Sequence, residues 1–151
     1  MRNLGKIMKI LITGASGYIA SNLSEHLRNA GCEVFTMSRK ERNESGHYTS
    51  DLSDILKIAG ILEESKPDVI IHTVWINSIA KCEQNEELAR TVNVEWSHNL
   101  VKAIETVDLG IKLAFISSDY VFDGSGGYYN EQDQVNPLTY YGKTKVRVEE
   151  L

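Results

Sequence analysis

The chain has 151 residues, enough for one domain with a buried core, and its 42% hydrophobic and 25% charged residues are ordinary for a globular protein. A formal net charge of −5 offers no attraction to nucleic acid or an anionic membrane, and no apolar run approaches the ~20 residues of a spanning helix. Neither partner is expected.

The start, "MRNLGKIMK", carries positive charge, but the apolar run behind it is short and leads into glycines, so it does not read as a signal peptide. Residues 1–7 read as an extension, and 8–151 as the domain. Cys32 and Cys82 fall in different predicted elements, with no CxxC spacing and no neighbouring histidine. They read as free thiols in a reducing compartment, which favours the cytoplasm. His26, His47, His72 and His98 form no metal spacing, so no metal is expected.

In chain order, "KILIT" (9–13) predicts a buried strand, 17–30 a helix closing at Gly31, and "EVFTM" (33–37) a second strand. "HYTS" (47–50) is a weak third strand. A helix follows over 53–65, ending before Pro67, then "DVIIH" (68–72) as a fourth strand. One long helix is expected over 86–105, with Asn93 and Trp96 packing inside. "KLAFIS" (112–117) is a fifth strand, and a terminal helix begins near Thr139. Continuous apolar strands separated by helices predict an α/β, doubly wound parallel sheet of Rossmann-like type. Right-handed crossovers give the strand order 3-2-1-4-5. Strand five is then an open apolar edge, so the sheet is expected to be truncated before its last strands.

"TGASGYIA" (13–20) follows the first strand and opens the first helix. Gly14 permits a tight turn, Gly17 lets backbone approach a pyrophosphate held at the helix N-terminus, and Ala20 allows close helix–strand packing. The pattern predicts a dinucleotide site. At the end of strand two, Ser38-Arg39-Lys40 stands where an NAD site would place an acid. A guanidinium suits the 2′-phosphate, so NADP(H) is preferred, with NAD(H) as the lesser choice. Asp51, before Leu52, has two readings: it meets the adenine edge, or it caps the next helix. His72 ends a central strand and reads as a satisfied core histidine. Tyr128 and Tyr129 either close over substrate or anchor their loop.

"SSDYVFDG" (117–124) and "YYGKTK" (140–145) supply Ser118, Tyr141 and Lys145. Adding a hydride to a carbonyl leaves an oxyanion that needs a proton. A phenol with pKa near 10 serves only when its phenolate is stabilised. An ammonium four residues on, on the same helix face, is expected to lower the Tyr141 pKa in that way. Ser118 is expected to donate to the substrate oxygen.

These stretches, with "PLTYYGKTK" and Glu149, resemble the extended short-chain dehydrogenases/reductases of the dTDP-4-dehydrorhamnose reductase group over essentially all of 8–151. The resemblance implies NADP(H)-dependent reduction of a 4-keto nucleotide sugar, a possible homodimer, and a substrate domain beyond Leu151. It implies Ser118, Tyr141 and Lys145 as catalytic residues. The implied cofactor set is Gly14, Ser16, Gly17, Tyr18, Ile19, Ser38, Arg39, Asp51, Leu52, Thr73, Val74, Trp75, Ser117, Tyr141 and Lys145. Two positions depart from the group: Trp75 is bulky on the nicotinamide side, and Ala80 replaces an aspartate. Two rival readings share the pattern. One is an NAD-dependent nucleotide-sugar epimerase or dehydratase, against which Arg39 argues. The other is a non-catalytic NADP-binding subunit similar to the methionine adenosyltransferase β subunit. The 151 residues alone are expected not to reduce a sugar efficiently.

Overall fold

The computed structural model describes residues 6–151; most of the predicted extension, residues 1–5, lies outside them. Five parallel strands form one sheet: β1 (Lys9–Thr13), β2 (Glu33–Ser38), β3 (His47–Thr49), β4 (Val69–His72) and β5 (Lys112–Phe115). Their order is β3-β2-β1-β4-β5, the predicted Rossmann-like arrangement. β1 lies at the centre, pairing Leu11 with Phe35 of β2 on one side and with Ile70 of β4 on the other. Alternate side chains of a strand point to opposite faces, which divides the core. Leu11, Met37 and Ile70 pack with Leu62 and Leu100 on one face, and Ile10, Ile12 and Val34 pack with Ala20 on the other.

The helices are α1 (Tyr18–Asn29), α2 (Ile55–Ser65), α3 (Ile79–Gln84), α4 (Glu86–Ala89), α5 (Trp96–Val107) and α6 (Tyr140–Glu149). Asp54 starts α2 by accepting from the Leu56 and Lys57 amides, and the helix ends at Lys66 in the left-handed region, one residue before Pro67. α1 has no such cap. Its N-cap is Gly17, which has no side chain, so the amides of its first turn face outward.

The long helix starts at Glu86 as expected, capped by the Asn85 side chain (φ −144°, ψ 79°), and runs to Val107. It widens, however, into a π-turn over Arg90–Glu95 before α5 begins, and the short α3, which was not expected, precedes it. The wide turn buries the Asn93 amide completely. Tyr140–Glu149 begins where the sequence placed it, with Thr139 as N-cap, its hydroxyl oxygen accepting from the Gly142 amide. β5 is shorter than predicted. Among the described residues it pairs only with β4, and Leu113 on it is exposed.

Candidate active site

The glycine turn is fixed by close approach. Gly14 has φ +78°, and a Cβ there would stand 2.8 Å from Thr73 Oγ1 and 3.1 Å from the Val74 amide nitrogen. A Cβ on Gly17 would be 3.2 Å from Gly14 O. The amides of Gly14 and Ala15 both donate to Met37 O, and Arg42 Nη1 donates to Ala15 O at 2.6 Å. Arg42 was not singled out by the sequence; it ties the loop after β2 to this turn.

Two adjoining cavities flank the turn. The first, about 310 Å³, is lined by Gly14, Ser16, Gly17, Ser38, Arg39, Asp51, Leu52, Thr73, Val74 and Trp75. Sequence reasoning missed Ser50, Ile76, Leu88, Val92 and Trp96 on its wall. The Arg39 guanidinium lies 5.8 Å from the centre of the Trp96 ring, within cation–π reach. Asp51 does not cap α2, a task that belongs to Asp54. It accepts from the Ser53 amide at 3.0 Å and from the Ser53 hydroxyl, and these bonds hold its carboxyl below the usual range. The Ser38 hydroxyl is engaged with Lys40 O at 2.8 Å.

The second cavity, about 430 Å³, is lined by Tyr18, Ile19, Ser117, Ser118, Tyr141 and Lys145, together with His72, Asn77 and Ile116. It shares Gly17, Thr73 and Trp75 with the first. Every residue of the expected catalytic and cofactor set therefore lines one of two adjoining spaces at the carboxyl ends of the strands.

Their chemistry is set by burial. Lys145 is 4% exposed; its ammonium donates to Ile116 O at 2.6 Å and lies 3.8 Å from the centre of the Trp75 ring. Burial lowers its pKa to about 8, with Glu149 acting the other way. The expected depression of the Tyr141 pKa is not found. Burial raises the phenol above its ordinary value, and the neighbouring Ser118 hydroxyl only partly offsets this. The reason is geometric, since the Lys145 ammonium is directed to the Ile116 carbonyl and the indole, 5.7 Å from the Tyr141 ring centre. The Ser118 hydroxyl donates to Asp119 Oδ1 at 3.0 Å, and that of Ser117 to the Glu149 carboxylate.

Tyr141 is held from several directions. A Cβ on Gly142 would come within 2.2 Å of Tyr120 O, so only glycine lets α6 approach this closely. The Tyr120 and Tyr141 rings then meet edge-on at 5.7 Å. Glu83 of α3 accepts from the Tyr140 amide at 2.6 Å, and Thr139 from the Gly142 amide at 3.0 Å. Asn93 accepts from the Ile76 amide at 2.8 Å and donates to Thr144 Oγ1 at 3.3 Å.

His72 is the buried core histidine the sequence suggested. Nδ1 is 2.7 Å from Thr13 Oγ1 and Nε2 is 3.0 Å from Ser97 Oγ. Because Ser97 gives its own hydrogen to Asn93 O, Nε2 carries the ring proton and Nδ1 accepts from Thr13. Burial, aided by the charge of Lys145, lowers the His72 pKa to about 4. Tyr129 anchors its loop: the ring stacks on Phe122 at 4.4 Å and the hydroxyl donates to Asp123 Oδ1 at 2.6 Å. Tyr128 is fully exposed.

A crystal structure described as a hypothetical dTDP-4-dehydrorhamnose reductase from Sulfolobus tokodaii is 36% identical, with a TM-score of 0.81, over 95% of this chain and 51% of that one. The dTDP-4-dehydrorhamnose reductase of Bacillus anthracis in complex with NADP is 26% identical, with a TM-score of 0.82, over 96% and 49%. Methionine adenosyltransferase 2 subunit beta of Bos taurus is 35% identical over 142 residues, 93% of this chain and 41% of that protein. The chain spans less than half the length of the curated relatives it matches. The family model described as the RmlD substrate binding domain matches residues 8–151, and the chain belongs to that family.

Proposed function

We propose that this chain is the cofactor-binding portion of an NADP(H)-dependent reductase acting on the keto group of a nucleotide sugar. One observation carries the reading: Ser118, Tyr141 and Lys145 converge on a cavity that opens, past Gly17 and Thr73, into the cavity beside Arg39. The residues fit a dinucleotide. Gly14 and Gly17 let the turn close against Thr73 and Val74 and on itself, and the first turn of α1 presents amides with no capping side chain. Arg39, Asp51 and Leu52 line the first cavity, which supports pairing of Arg39 with a 2′-phosphate and an adenine end bounded by the other two. Similarity to a reductase in complex with NADP supports the same choice.

The nicotinamide group, when bound, supplies the hydride. Tyr141 gives its phenolic proton to the carbonyl oxygen as charge develops there. Ser118 turns its hydroxyl from Asp119 to that oxygen and orients it. The Lys145 ammonium lowers the cost of the phenolate once it faces Tyr141 rather than Ile116 O.

Calorimetric titration with NADPH and NADH tests the reading. NADPH should bind more tightly than NADH, and Arg39→Ala should weaken NADPH about tenfold or more while leaving NADH nearly unchanged. Equal affinities unaffected by the substitution would refute the 2′-phosphate role. A second reading, a dinucleotide-binding subunit without turnover, is favoured by the similarity to methionine adenosyltransferase 2 subunit beta and by a Lys145 directed away from Tyr141. Association with a methionine adenosyltransferase in the absence of sugar reduction would select it.

A further inference from the structure

Trp75 stands where the two cavities meet. They share only Gly17, Thr73 and Trp75, so a ligand running from Arg39 to Tyr141 must pass these three residues. Two of them are small, and the third is an indole. Its face carries the Lys145 ammonium at 3.8 Å, far inside the ~6 Å reach of a cation–π contact. The ring is also wedged against Phe115, at 5.3 Å between centres, and meets the Tyr141 ring edge-on at 6.5 Å. One part of the side chain is nonetheless unsatisfied. Among the described residues, Trp75 Nε1 is the buried side-chain polar atom with no hydrogen-bond partner. A buried donor normally has an acceptor, and its absence costs free energy that a partner would restore.

The indole therefore occupies the approach to the ammonium while its own N–H waits for an acceptor. We propose that Trp75 is a specificity-determining residue of the dinucleotide site: seated on Lys145, it admits the 2′-phosphoadenosine half and hinders the nicotinamide riboside half until the ring leaves the ammonium. The proposal rests on the dinucleotide reading above. Displacement exchanges a cation–π contact for hydrogen bonds from Lys145 to ribose hydroxyls, and it frees Nε1–H to reach a ligand oxygen. With the ring on Lys145, the ammonium does not offset the burial that raises the Tyr141 pKa.

Titration of the 151-residue chain with 2′,5′-ADP and with NADP⁺ separates the two halves of the ligand. Trp75→Val should leave 2′,5′-ADP affinity within about twofold and tighten NADP⁺ by about tenfold relative to it. A second measurement needs no stable valine variant. With 5-fluorotryptophan in the unsubstituted protein, the ¹⁹F resonance missing from Trp75→Phe should move on adding NADP⁺ and stay in place with 2′,5′-ADP. An unchanged affinity ratio in folded Trp75→Val, or a Trp75 resonance that NADP⁺ leaves in place, overturns the assignment. Absence of 2′,5′-ADP binding would instead overturn the dinucleotide reading itself.

Discussion

Asn93 and Thr144 join two elements that are 51 residues apart in sequence: the amide in the π-turn donates to the threonine hydroxyl at 3.3 Å. That hydroxyl donates on to Tyr141 O at 2.7 Å. The backbone of the proposed acid is thus tied to a fully buried side chain on another helix, which also receives the Ile76 amide. Asn93→Leu leaves the Ile76 amide without its acceptor in the interior. The expected cost is about 2–4 kcal/mol in urea denaturation. A loss below about 1 kcal/mol would mean that α6 is held by its other contacts alone.

The histidine between Thr13 and Ser97 makes stability depend on pH. Its folded pKa, about 4, lies below the ordinary 6.5, so the folded state binds fewer protons through this window. The stability due to neutral His72 is complete above about pH 6.5 and is lost as pH falls toward 4. A loss of roughly 3 kcal/mol is expected over that range. Denaturation at pH 7, 5.5 and 4 should show the decline in the unsubstituted protein, and a smaller one in His72→Gln. Equal slopes in the two proteins would remove His72 as the cause.

Lys145 should titrate far below an ordinary lysine. With a pKa of about 8 rather than 10.5, it is half protonated in mildly alkaline solution. Its neutral form is the one the fold favours, so its unfavourable contribution to stability is present below about pH 8 and disappears as pH rises to 10.5. The Cε resonance of Lys145, followed by ¹³C NMR, should show a midpoint near 8, and NADP⁺ should raise it by bringing oxygen acceptors to the ammonium. A midpoint near 10.5 without ligand would contradict the burial argument.

Gly142 is the least replaceable residue of α6. In Gly142→Ala the new methyl meets a backbone oxygen, Tyr120 O, at 2.2 Å and Pro137 Cβ at 3.0 Å. Neither neighbour is the end of a flexible side chain, so α6 must move. A destabilisation of about 2 kcal/mol or more is expected in thermal unfolding. The substitution should also weaken NADP⁺ binding, because Tyr141 and Lys145 move with the helix. A variant as stable as the parent would mean that the loop at Tyr120 yields easily.

The sheet was legible because each strand is a short apolar run between helical stretches, and buried parallel strands leave that signature. The glycine turn was legible for a local reason: the spacing of Gly14 and Gly17 states what the backbone must do. Other features depend on distant partners. Asp51 and Asp54 both precede α2, and only the observed geometry separates the cavity residue from the cap. Trp96 packs against the core as read, and it also faces Arg39 across the cavity, 57 positions away, which no local pattern states. The π-turn at Arg90–Glu95 has no periodicity to distinguish it from an α-helix over so few residues. The direction of the Tyr141 pKa failed because it depends on where the Lys145 ammonium is directed, which a four-residue spacing does not specify.

The bond from Arg42 to Ala15 O bears on redesign of the nucleotide preference. The segment proposed to select the phosphate and the turn proposed to cradle it are tied twice, by Arg42 to Ala15 O and by Met37 O, which accepts from the Gly14 and Ala15 amides. Transplanting residues 38–42 as a block with any residue but arginine at 42 would remove the bond to Ala15 O and loosen the turn. Exchanging Arg39 alone changes the charge proposed to select the phosphate and leaves the Arg42 bond in place.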